Sequence, residues 1–421
     1  MLINIIQRKE VEHQLSPRGR LRLRCRELAS SLAKLGLRVA LGIMLAMASL
    51  MARAARAEDA TLSLLGRPEI VFDSSREGCA AVDVPDVNPR AFRDANGNVV
   101  FFAMHYVNRV MRGKDLSHLS LDCHIVLNSG FDPEPADYND RNFITATWTA
   151  DGRNVAALVH HEYHADDHGR CRVQSSLGCW YNSILAYRST DGGMNFTKAK
   201  PLVVASAPFG QDVGQGRHRG FFNPSNIFSD GTYEYFFAAT TGWDGQNYGA
   251  CLFRSANPQD PGSWRAFDGH NFTIRYSDPY RGGARQIAPC EPISPFIFPV
   301  GAVVRMRGTG LWIAVFSVAR DAGLYPVDGF YYATATDLTH WSAPRLLYAD
   351  RTLDSDICTA TGSIIAYPSL LDEDAQDRNF DDVGAQPYLY FTIAKVDGCS
   401  TGNRFLMRQK VSIVLGQDAR Q

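Results

Sequence analysis

The feature that most constrains the fold is a pattern of predicted β-strands that recurs five times along the chain. In each recurrence, a first strand that starts at a polar residue is followed by a second, apolar and aromatic-rich strand, and then by turns and further strands. The first strands begin at Asp86, Asp140, Asn223, Glu291 and Ser363. The second strands span residues 98–104, 154–160, 233–239, 311–317 and 388–394. Repeats of about four strands are typical of β-propellers, so the sequence predicts an all-β, five-bladed β-propeller.

Composition also favours strands and turns over helices. Residues 58–421 contain 33 Asp but only 8 Glu, and 27 Arg but only 5 Lys. Lys and Glu are common on exposed helix surfaces, whereas Asp is common in turns. The same residues carry a formal charge of −9. This charge argues against nucleic acid or an anionic membrane as a partner, because binding to phosphate groups needs a basic surface.

The first 57 residues have the pattern of an export signal. Residues 39–51 are apolar, follow a basic region and precede Ala55-Arg56-Ala57. This run of 13 residues is too short to span a bilayer, and the pattern is typical of a secretory signal peptide that is cleaved near Glu58. We therefore expect residues 1–57 to be a leader and residues 58–421 to form a single domain. The mature protein is expected to be secreted or periplasmic, without stable membrane association; a leader retained as an anchor is the alternative.

Eight cysteines follow the leader, and an even number in an exported chain predicts disulfides. Proximity along the sequence suggests Cys79–Cys123, Cys171–Cys179, Cys251–Cys290 and Cys358–Cys399, although sequence alone does not choose among the pairings. Zinc ligation is the competing interpretation, but the chain has no C-x-x-C pair.

Three turns carry a related Asp motif. Residues 189–196 (Ser-Thr-Asp-Gly-Gly-Met-Asn-Phe) resemble the Asp-box of sialidase-like propellers, while residues 336–341 and 114–119 resemble its Asp-Leu-x-x-Trp relative in glycosidase propellers. Asp caps the N–H groups of a turn and Gly permits a positive φ, so we expect a structural role between third and fourth strands. Over residues 60–415, the chain resembles the five-bladed β-propeller glycosidases of the arabinanase, xylosidase, levanase and invertase superfamily. Closure of such a ring would bring residues 61–65 or 68–72 beside the last blade.

In a propeller, the starts of first strands and the ends of second strands meet at one face, which selects four candidate catalytic carboxylates: Asp86, Asp140, Glu162 and Glu291. Glycoside hydrolysis needs one carboxylic acid and one carboxylate. The resemblance implies that Asp86 is the base or nucleophile and that Asp140 tunes and orients the site. It also implies a Glu acid on the third blade, but this blade begins with Asn223, which leaves Glu291 or Glu162 as the acid.

The segment His160-His-Glu-Tyr-His164 is the densest polar cluster. Alternation along a strand would place His160, Glu162 and His164 on one face and His161 on the other. Such a row could bind a sugar, raise the pKa of Glu162 or bind a metal. The alternative without a functional role is a polar strand end with solvated histidines. The rule that first-strand starts and second-strand ends meet at one face also selects the substrate-binding candidates: His105, His160, His161, His164, Asn223, Trp243 and Arg320.

These features favour a secreted glycoside hydrolase that acts on a plant or microbial glycan by carboxylate acid/base catalysis. Its expected partner is a carbohydrate, and no cofactor is required. One alternative is a non-catalytic carbohydrate-binding propeller. Another is a sialidase-like enzyme, which would need three converging arginines from among Arg90, Arg141, Arg219 and Arg285. The acidic segment 372–382 could hold a structural calcium ion or could be a solvated loop.

Overall fold

The computed structural model describes residues 59–172, 177–207, 219–243, 245–281, 288–321 and 323–416. The predicted leader lies outside these ranges. The regular structure of the described residues is almost entirely β, with twenty-three strands and one α-helix, α1 (Ser74–Glu77). Four 3-10 turns occur in addition, at Pro135–Asp137, Leu177–Cys179, Pro261–Ser263 and Ile357–Thr359. The expectation of an all-β chain is confirmed, and none of the helices in these ranges has the length and apolarity needed to cross a membrane.

Along the chain, the strands are described as five consecutive units, I to V, which belong to four hydrogen-bonded sheets. The first strand is β1 (Ala60–Asp73). Unit I contains β2 (Pro85–Arg93), β3 (Val99–Met104), β4 (Arg109–Gly113) and β5 (Ser120–Ile125). Unit II contains β6 (Arg141–Trp148), β7 (Val155–His164), β8 (Trp180–Ser189) and β9 (Thr197–Ser206). Unit III contains β10 (Arg219–Phe222), β11 (Phe228–Ser229), β12 (Glu234–Thr240), β13 (Gly249–Ser255), β14 (Arg265–Phe267) and β15 (Phe272–Ile274).

Each of the two remaining units also pairs with a strand from another part of the chain. Unit IV contains β16 (Val300–Met306), β17 (Trp312–Val318), β18 (Gly329–Ala335) and β19 (Arg345–Ala349). Unit V contains β20 (Ser363–Leu371), β22 (Tyr388–Asp397) and β23 (Ser400–Leu415), while the short β21 (Asp382–Val383) pairs with β16 of unit IV. The first strand, β1, completes unit V by pairing with β23, from Ala60 opposite Leu415 to Asp73 opposite Phe405. The expectation that residues 61–65 or 68–72 lie beside the last unit is thereby confirmed for both segments.

Units II and III share one continuous sheet, so hydrogen bonds define four sheets and not five. The link is a short parallel pairing of β8 with β10, in which Gly220 lies opposite Asn182. Gly220 has a φ of 103°, and a Cβ atom there would lie 2.1 Å from the Asn182 carbonyl oxygen. The close approach of these two strands therefore requires glycine at this position.

Five of the six apolar clusters in the described residues each join one unit to the next, and the last of the five joins unit V to unit I. Burial of each large apolar side chain contributes about 1.5–3 kcal/mol, so these five clusters form the core. Representative members, in the order I/II, II/III, III/IV, IV/V and V/I, are Phe102 and Ile144, Leu158 and Phe236, Phe237 and Phe316, Val304 and Leu389, and Tyr390 and Phe101.

One buried arginine contacts all five units. Arg90 lies in β2 and is 3% exposed. Its Nε donates to the carbonyl oxygen of Thr145 in unit II at 2.9 Å, and its Nη2 donates to that of Gly301 in unit IV at 2.6 Å. It also donates to the carbonyl oxygen of Pro224 in unit III and to the hydroxyl of Ser369 in unit V. The first strands of the units therefore converge on a single guanidinium group.

All five predicted second strands are present, as β3, β7, β12, β17 and β22. The predicted first strand of unit IV is wrong, because β16 begins at Val300 and not at Glu291. The intervening residues include Pro292, Pro295 and Pro299, and proline cannot donate a hydrogen bond to a neighbouring strand. In unit III, Asn223 does not start a strand either, because it lies between β10 and β11 with a φ of 47°.

All four predicted disulfides are present: Cys79–Cys123, Cys171–Cys179, Cys251–Cys290 and Cys358–Cys399. The three Asp motifs also have the expected structural role in turns between third and fourth strands. Asp191 Oδ1 accepts from the N–H groups of Met194 and Asn195 between β8 and β9. Asp337 and Asp115 accept from turn N–H groups in the same way between β18 and β19 and between β4 and β5.

Candidate active site

Asp86 lies near the start of β2, and side chains from three other strands or turns contact its carboxylate. The Tyr367 hydroxyl donates to Oδ1 at 2.9 Å, and Arg404 forms an ion pair with the same oxygen. His105 Nε2 lies 2.9 Å from Oδ2. Burial lowers the pKa of His105 to about 4, so near neutral pH this imidazole is uncharged and can donate from Nε2. These donors stabilise an ionised carboxylate at Asp86 and fix its orientation.

Tyr367 contacts Asp86, and the charges of two further carboxyl groups act on it. It lies in β20 with a φ of 58°, a conformation that side chains other than glycine rarely adopt. Burial raises the pKa of Tyr367, and the charges of Glu162 and Asp354 raise it further. The hydroxyl therefore keeps its proton and donates it in the hydrogen bond to Asp86. Asp86, Glu162 and Asp354 are together called the carboxylate cluster.

Asp354 lies between β19 and β20, and its carboxylate accepts a hydrogen bond from the Ser317 hydroxyl near the end of β17 at 2.7 Å. Burial raises the pKa of Asp354 to about 6, against the opposing effect of Ser317. The residue as a whole is nonetheless exposed to solvent. Asp354 thus differs in its surroundings from Asp86, whose carboxylate contacts an arginine, a tyrosine and a histidine.

Glu162 lies on β7 between two histidines of the same face. His164 Nε2 is 2.9 Å from Glu162 Oε2, and His160 Nε2 is 3.9 Å from Oε1. The predicted alternation along this strand is therefore confirmed. The ring of His164 packs against Trp180, with a centroid separation of 4.0 Å. Burial lowers the pKa of His160, whereas Glu162 raises it.

His161 and Asp140 lie on the opposite side of β7. The ring of His161 packs edge-on against Tyr138, and its Nε2 accepts a hydrogen bond from the Asp140 main-chain N–H at 3.4 Å. Asp140 is 1% exposed, and its Oδ2 accepts from the main-chain N–H of His164 at 2.8 Å. His168 Nε2 lies 3.1 Å from the same oxygen. Asp140 therefore reaches the carboxylate cluster through His164, whose imidazole faces Glu162.

We expect His161 to make the stability of the protein depend on pH. Burial lowers its pKa to about 3, so between this value and the ordinary value of 6.5 the unfolded chain binds more protons than the folded chain. The free energy of unfolding therefore decreases as the pH falls below 6.5, the ordinary pKa of histidine. In His161→Gln, the fall in the free energy of unfolding between about pH 7 and pH 4 should be smaller by roughly 1–3 kcal/mol.

Urea unfolding at the two pH values measures this difference. An unchanged pH dependence in His161→Gln would contradict the assignment of a neutral, buried His161.

Among the other predicted residues, Asn223 contacts a histidine beside Glu162. The side chain of Asn223 interacts with His160 and raises the pKa of that imidazole. Trp243 is half-buried, and its ring contacts Phe221 edge-on at 5.3 Å in the apolar cluster between units II and III. Arg320 is exposed, and its main-chain N–H donates to Asp328.

Glu291 lies at the outer strands of unit III. Its main-chain N–H donates to the carbonyl oxygen of Phe267 in β14 at 2.9 Å, and its side chain is adjacent to Gly269 in the following turn. Its contacts with described residues therefore do not connect it with Asp86 or Glu162. The predicted position at the mouth followed from a first strand at Glu291, which the prolines prevent.

Sequence reasoning missed Tyr367, Asp354 and Arg404. Tyr367 precedes Pro368 inside a first strand, and proline in a strand often marks a bulge, which is a signal that could have identified it. Asp354 lies in a connection nine residues before β20, and so at neither end of a strand. Arg404 lies 318 residues from its partner Asp86, and no local pattern predicts this pairing.

Several carboxylates of the acidic segment 372–382 accept hydrogen bonds from other parts of the protein. Arg307 donates to Asp372 and Asp382, and the main-chain N–H of Ser229 donates to Asp381. Across the described parts of the chain, no group of three or more His, Cys, Asp or Glu side chains is arranged to hold a metal ion. Of the arginines considered for a sialidase-like site, Arg90 donates to main-chain carbonyls, Arg141 pairs with Asp167, and Arg285 lies outside the described residues.

No protein-family profile matches the chain, and no curated protein matches it in sequence. Among solved structures, it is similar to an endo-1,5-α-L-arabinanase from Thermotoga petrophila RKU-1, with 11% identity, a TM-score of 0.45, and coverage of 78% of this chain and 71% of that one. It is also similar to a GH43 endo-arabinanase from Bacillus licheniformis, with 13% identity, a TM-score of 0.41, and coverage of 80% and 96%. A third likeness is to a sucrose-6-phosphate hydrolase from Lactobacillus gasseri, with 10% identity, a TM-score of 0.44, and coverage of 80% and 62%. Arabinanases are among the enzymes that the sequence resembles, but at these identities and TM-scores the likenesses decide neither the blade count nor the activity.

Proposed function

We propose that this protein is an exported glycoside hydrolase whose five units are the blades of a β-propeller. The five apolar clusters, which follow one another from unit I back to unit I, support a closed ring. The contacts of Arg90 with all five units support a common axis at their first strands. Four disulfides fit an oxidising compartment and so support export.

The observation that carries the proposed activity is the carboxylate cluster around Tyr367. Glycoside hydrolysis needs an ionised carboxylate that activates water or attacks the sugar, and a carboxylic acid that protonates the leaving oxygen. Asp86, held by Arg404, Tyr367 and His105, suits the first role. Asp354, with a pKa raised to about 6 and access to solvent, suits the second. Glu162 is the other candidate for the acid, since its charge acts on the same tyrosine.

The substrate class follows from the surroundings of the cluster. Tyr106 packs against His105 with a centroid separation of 4.0 Å, and Trp180 packs against His164 at the same separation. Aromatic rings beside the carboxyl groups provide flat surfaces for the C–H faces of sugar rings. A carbohydrate from a plant or microbial glycan is therefore the proposed substrate.

The acid can be identified by comparing leaving groups. An enzyme without its general acid still hydrolyses a 2,4-dinitrophenyl glycoside, whose leaving group needs no proton, but loses roughly 10²–10⁴-fold in rate on a methyl glycoside or oligosaccharide. We expect this selective loss in Asp354→Asn, assayed on arabinofuranosides, xylosides and galactosides. Wild-type kcat should also fall as the pH rises through about 6, and this alkaline limb should be absent in Asp354→Asn.

Glu162→Gln is the matched comparison, and we expect it to affect both classes of leaving group alike. The selective loss in Glu162→Gln alone would assign the acid to Glu162. Full activity of both variants on every substrate would contradict carboxylate acid/base catalysis at this cluster.

A second function, non-catalytic carbohydrate binding, is favoured by one observation. Both oxygens of Asp86 accept contacts from the protein, which reduces the capacity of this carboxylate to act as a base. A glycan that binds in the micromolar range, with no release of reducing ends over several days, would favour this alternative.

A further inference from the structure

A separate cavity of about 790 Å³ lies against the outer strands of unit II and the end of unit III. Its walls are residues of β9, the segment 132–139 and the segments 261–264 and 275–281. It is called the outer cavity, and it shares no lining residue with the carboxylate cluster. Its volume is within the range of about 300–1,000 Å³ that is usual for small-ligand sites.

Four cationic side chains line the outer cavity: Lys198, Lys200, Arg275 and Arg281. The body of the protein contains only five lysines and carries a net negative charge, so two lysines here are a marked local concentration. Lys198 Nζ donates to the Asp137 carbonyl oxygen at 2.7 Å, and burial lowers its pKa. Lys200 and Arg275 form no ion pair with any residue in the described ranges.

Three aspartates line the outer cavity beside the four cations: Asp132, Asp137 and Asp278. Asp278 accepts hydrogen bonds from the Tyr138 hydroxyl and the Tyr280 N–H, both at 2.9 Å, and lies 3.4 Å from Arg281 Nε. The carboxylate of Asp132 accepts from the N–H of Glu134 at 3.0 Å. The charges of Asp137 and Asp132 act on Lys198, so Lys200 and Arg275 are the two lining cations that these carboxylates leave without an ion pair.

The remaining wall is apolar and partly aromatic. Trp264 and Tyr276 border it but are buried in the apolar cluster between units II and III, so Pro201 and Leu202 are its more accessible apolar residues. An apolar wall beside two cations without ion pairs matches an organic ligand that is larger than one ring and carries anionic substituents, as an acidic oligosaccharide does. A cavity of this size is larger than a single inorganic anion needs.

We propose that the outer cavity binds an acidic oligosaccharide, with Lys200 and Arg275 contacting its carboxylate or sulfate groups. Two probes separate these chemistries, tetragalacturonate for carboxylates and a chondroitin sulfate tetrasaccharide for sulfates. The methyl ester of tetragalacturonate is the neutral comparison.

Calorimetric titration of the mature protein with these probes tests the proposal. We expect at least one acidic tetrasaccharide to bind, with affinity that falls as salt rises and is at least tenfold weaker for the methyl ester. The double variant Lys200→Ala/Arg275→Ala should weaken this binding at least tenfold. The control Lys114→Ala/Arg67→Ala removes two exposed cations elsewhere and should leave the affinity unchanged.

The result is independent of the proposed hydrolase activity, because Asp86→Asn should bind the acidic probe as the wild type does. Failure of both acidic probes to bind the wild type would overturn the proposal. Equal affinity of the wild type and Lys200→Ala/Arg275→Ala, at unchanged melting temperatures, would also overturn it.

Discussion

Asp86→Asn is expected to lower glycoside hydrolysis roughly 10²–10⁴-fold without unfolding the protein. An amide is nearly the same size as a carboxylate, so the contacts with Tyr367 and His105 can persist in altered form. The amide cannot accept a proton from water or attack the sugar, however, and it does not neutralise Arg404. The measurement is the initial rate of sugar release on the substrate that the wild type cleaves fastest, alongside the melting temperature.

The control is another aspartate–arginine pair in the same unit. Asp122 lies in β5, and its Oδ2 is 3.2 Å from Arg112 Nε. Asp122→Asn removes the same charge from unit I and should retain full activity. If Asp86→Asn also retained full activity while the wild type hydrolysed a glycoside, Asp86 would have no catalytic role.

The strand order was predictable because each second strand is a continuous apolar and aromatic run that remains buried between two units. β3, β7, β12, β17 and β22 are all of this kind. First strands were less predictable, since they begin with polar residues and prolines. In unit IV, the prolines at 292, 295 and 299 delay the strand until Val300 and leave Glu291 at the outer part of unit III.

The site was predictable only where it coincides with a strand end. Asp86 and His105 lie at such ends and contact each other, and Glu162 lies two residues before the end of β7. Tyr367 depends on a bulge in β20, and Asp354 depends on the path of a connection. Arg404 depends on how β22 and β23 are placed relative to β2. These are tertiary relationships, and alternation or motif spacing within a segment does not encode them.

Arg90→Met is expected to lower the free energy of unfolding by roughly 3–5 kcal/mol, the largest effect on stability among the substitutions considered. Methionine occupies much of the same volume but donates no hydrogen bonds. The carbonyl oxygens of Thr145, Pro224 and Gly301 would then be buried without their donor, at a cost of about 1–3 kcal/mol each before relaxation. Urea unfolding at neutral pH measures the loss.

Arg93→Met provides the comparison, because Arg93 lies in the same strand and also donates to main-chain carbonyls, those of Asp377 and Glu373. Both carbonyls belong to a single connection of unit V and lie nearer to solvent. Arg93→Met should lower the free energy of unfolding by only about 1–2 kcal/mol. A similar small cost for Arg90→Met would mean that the apolar clusters alone hold the five units together. A much larger cost at Arg90 would identify this guanidinium as the group that couples the units, and would support their arrangement around one axis.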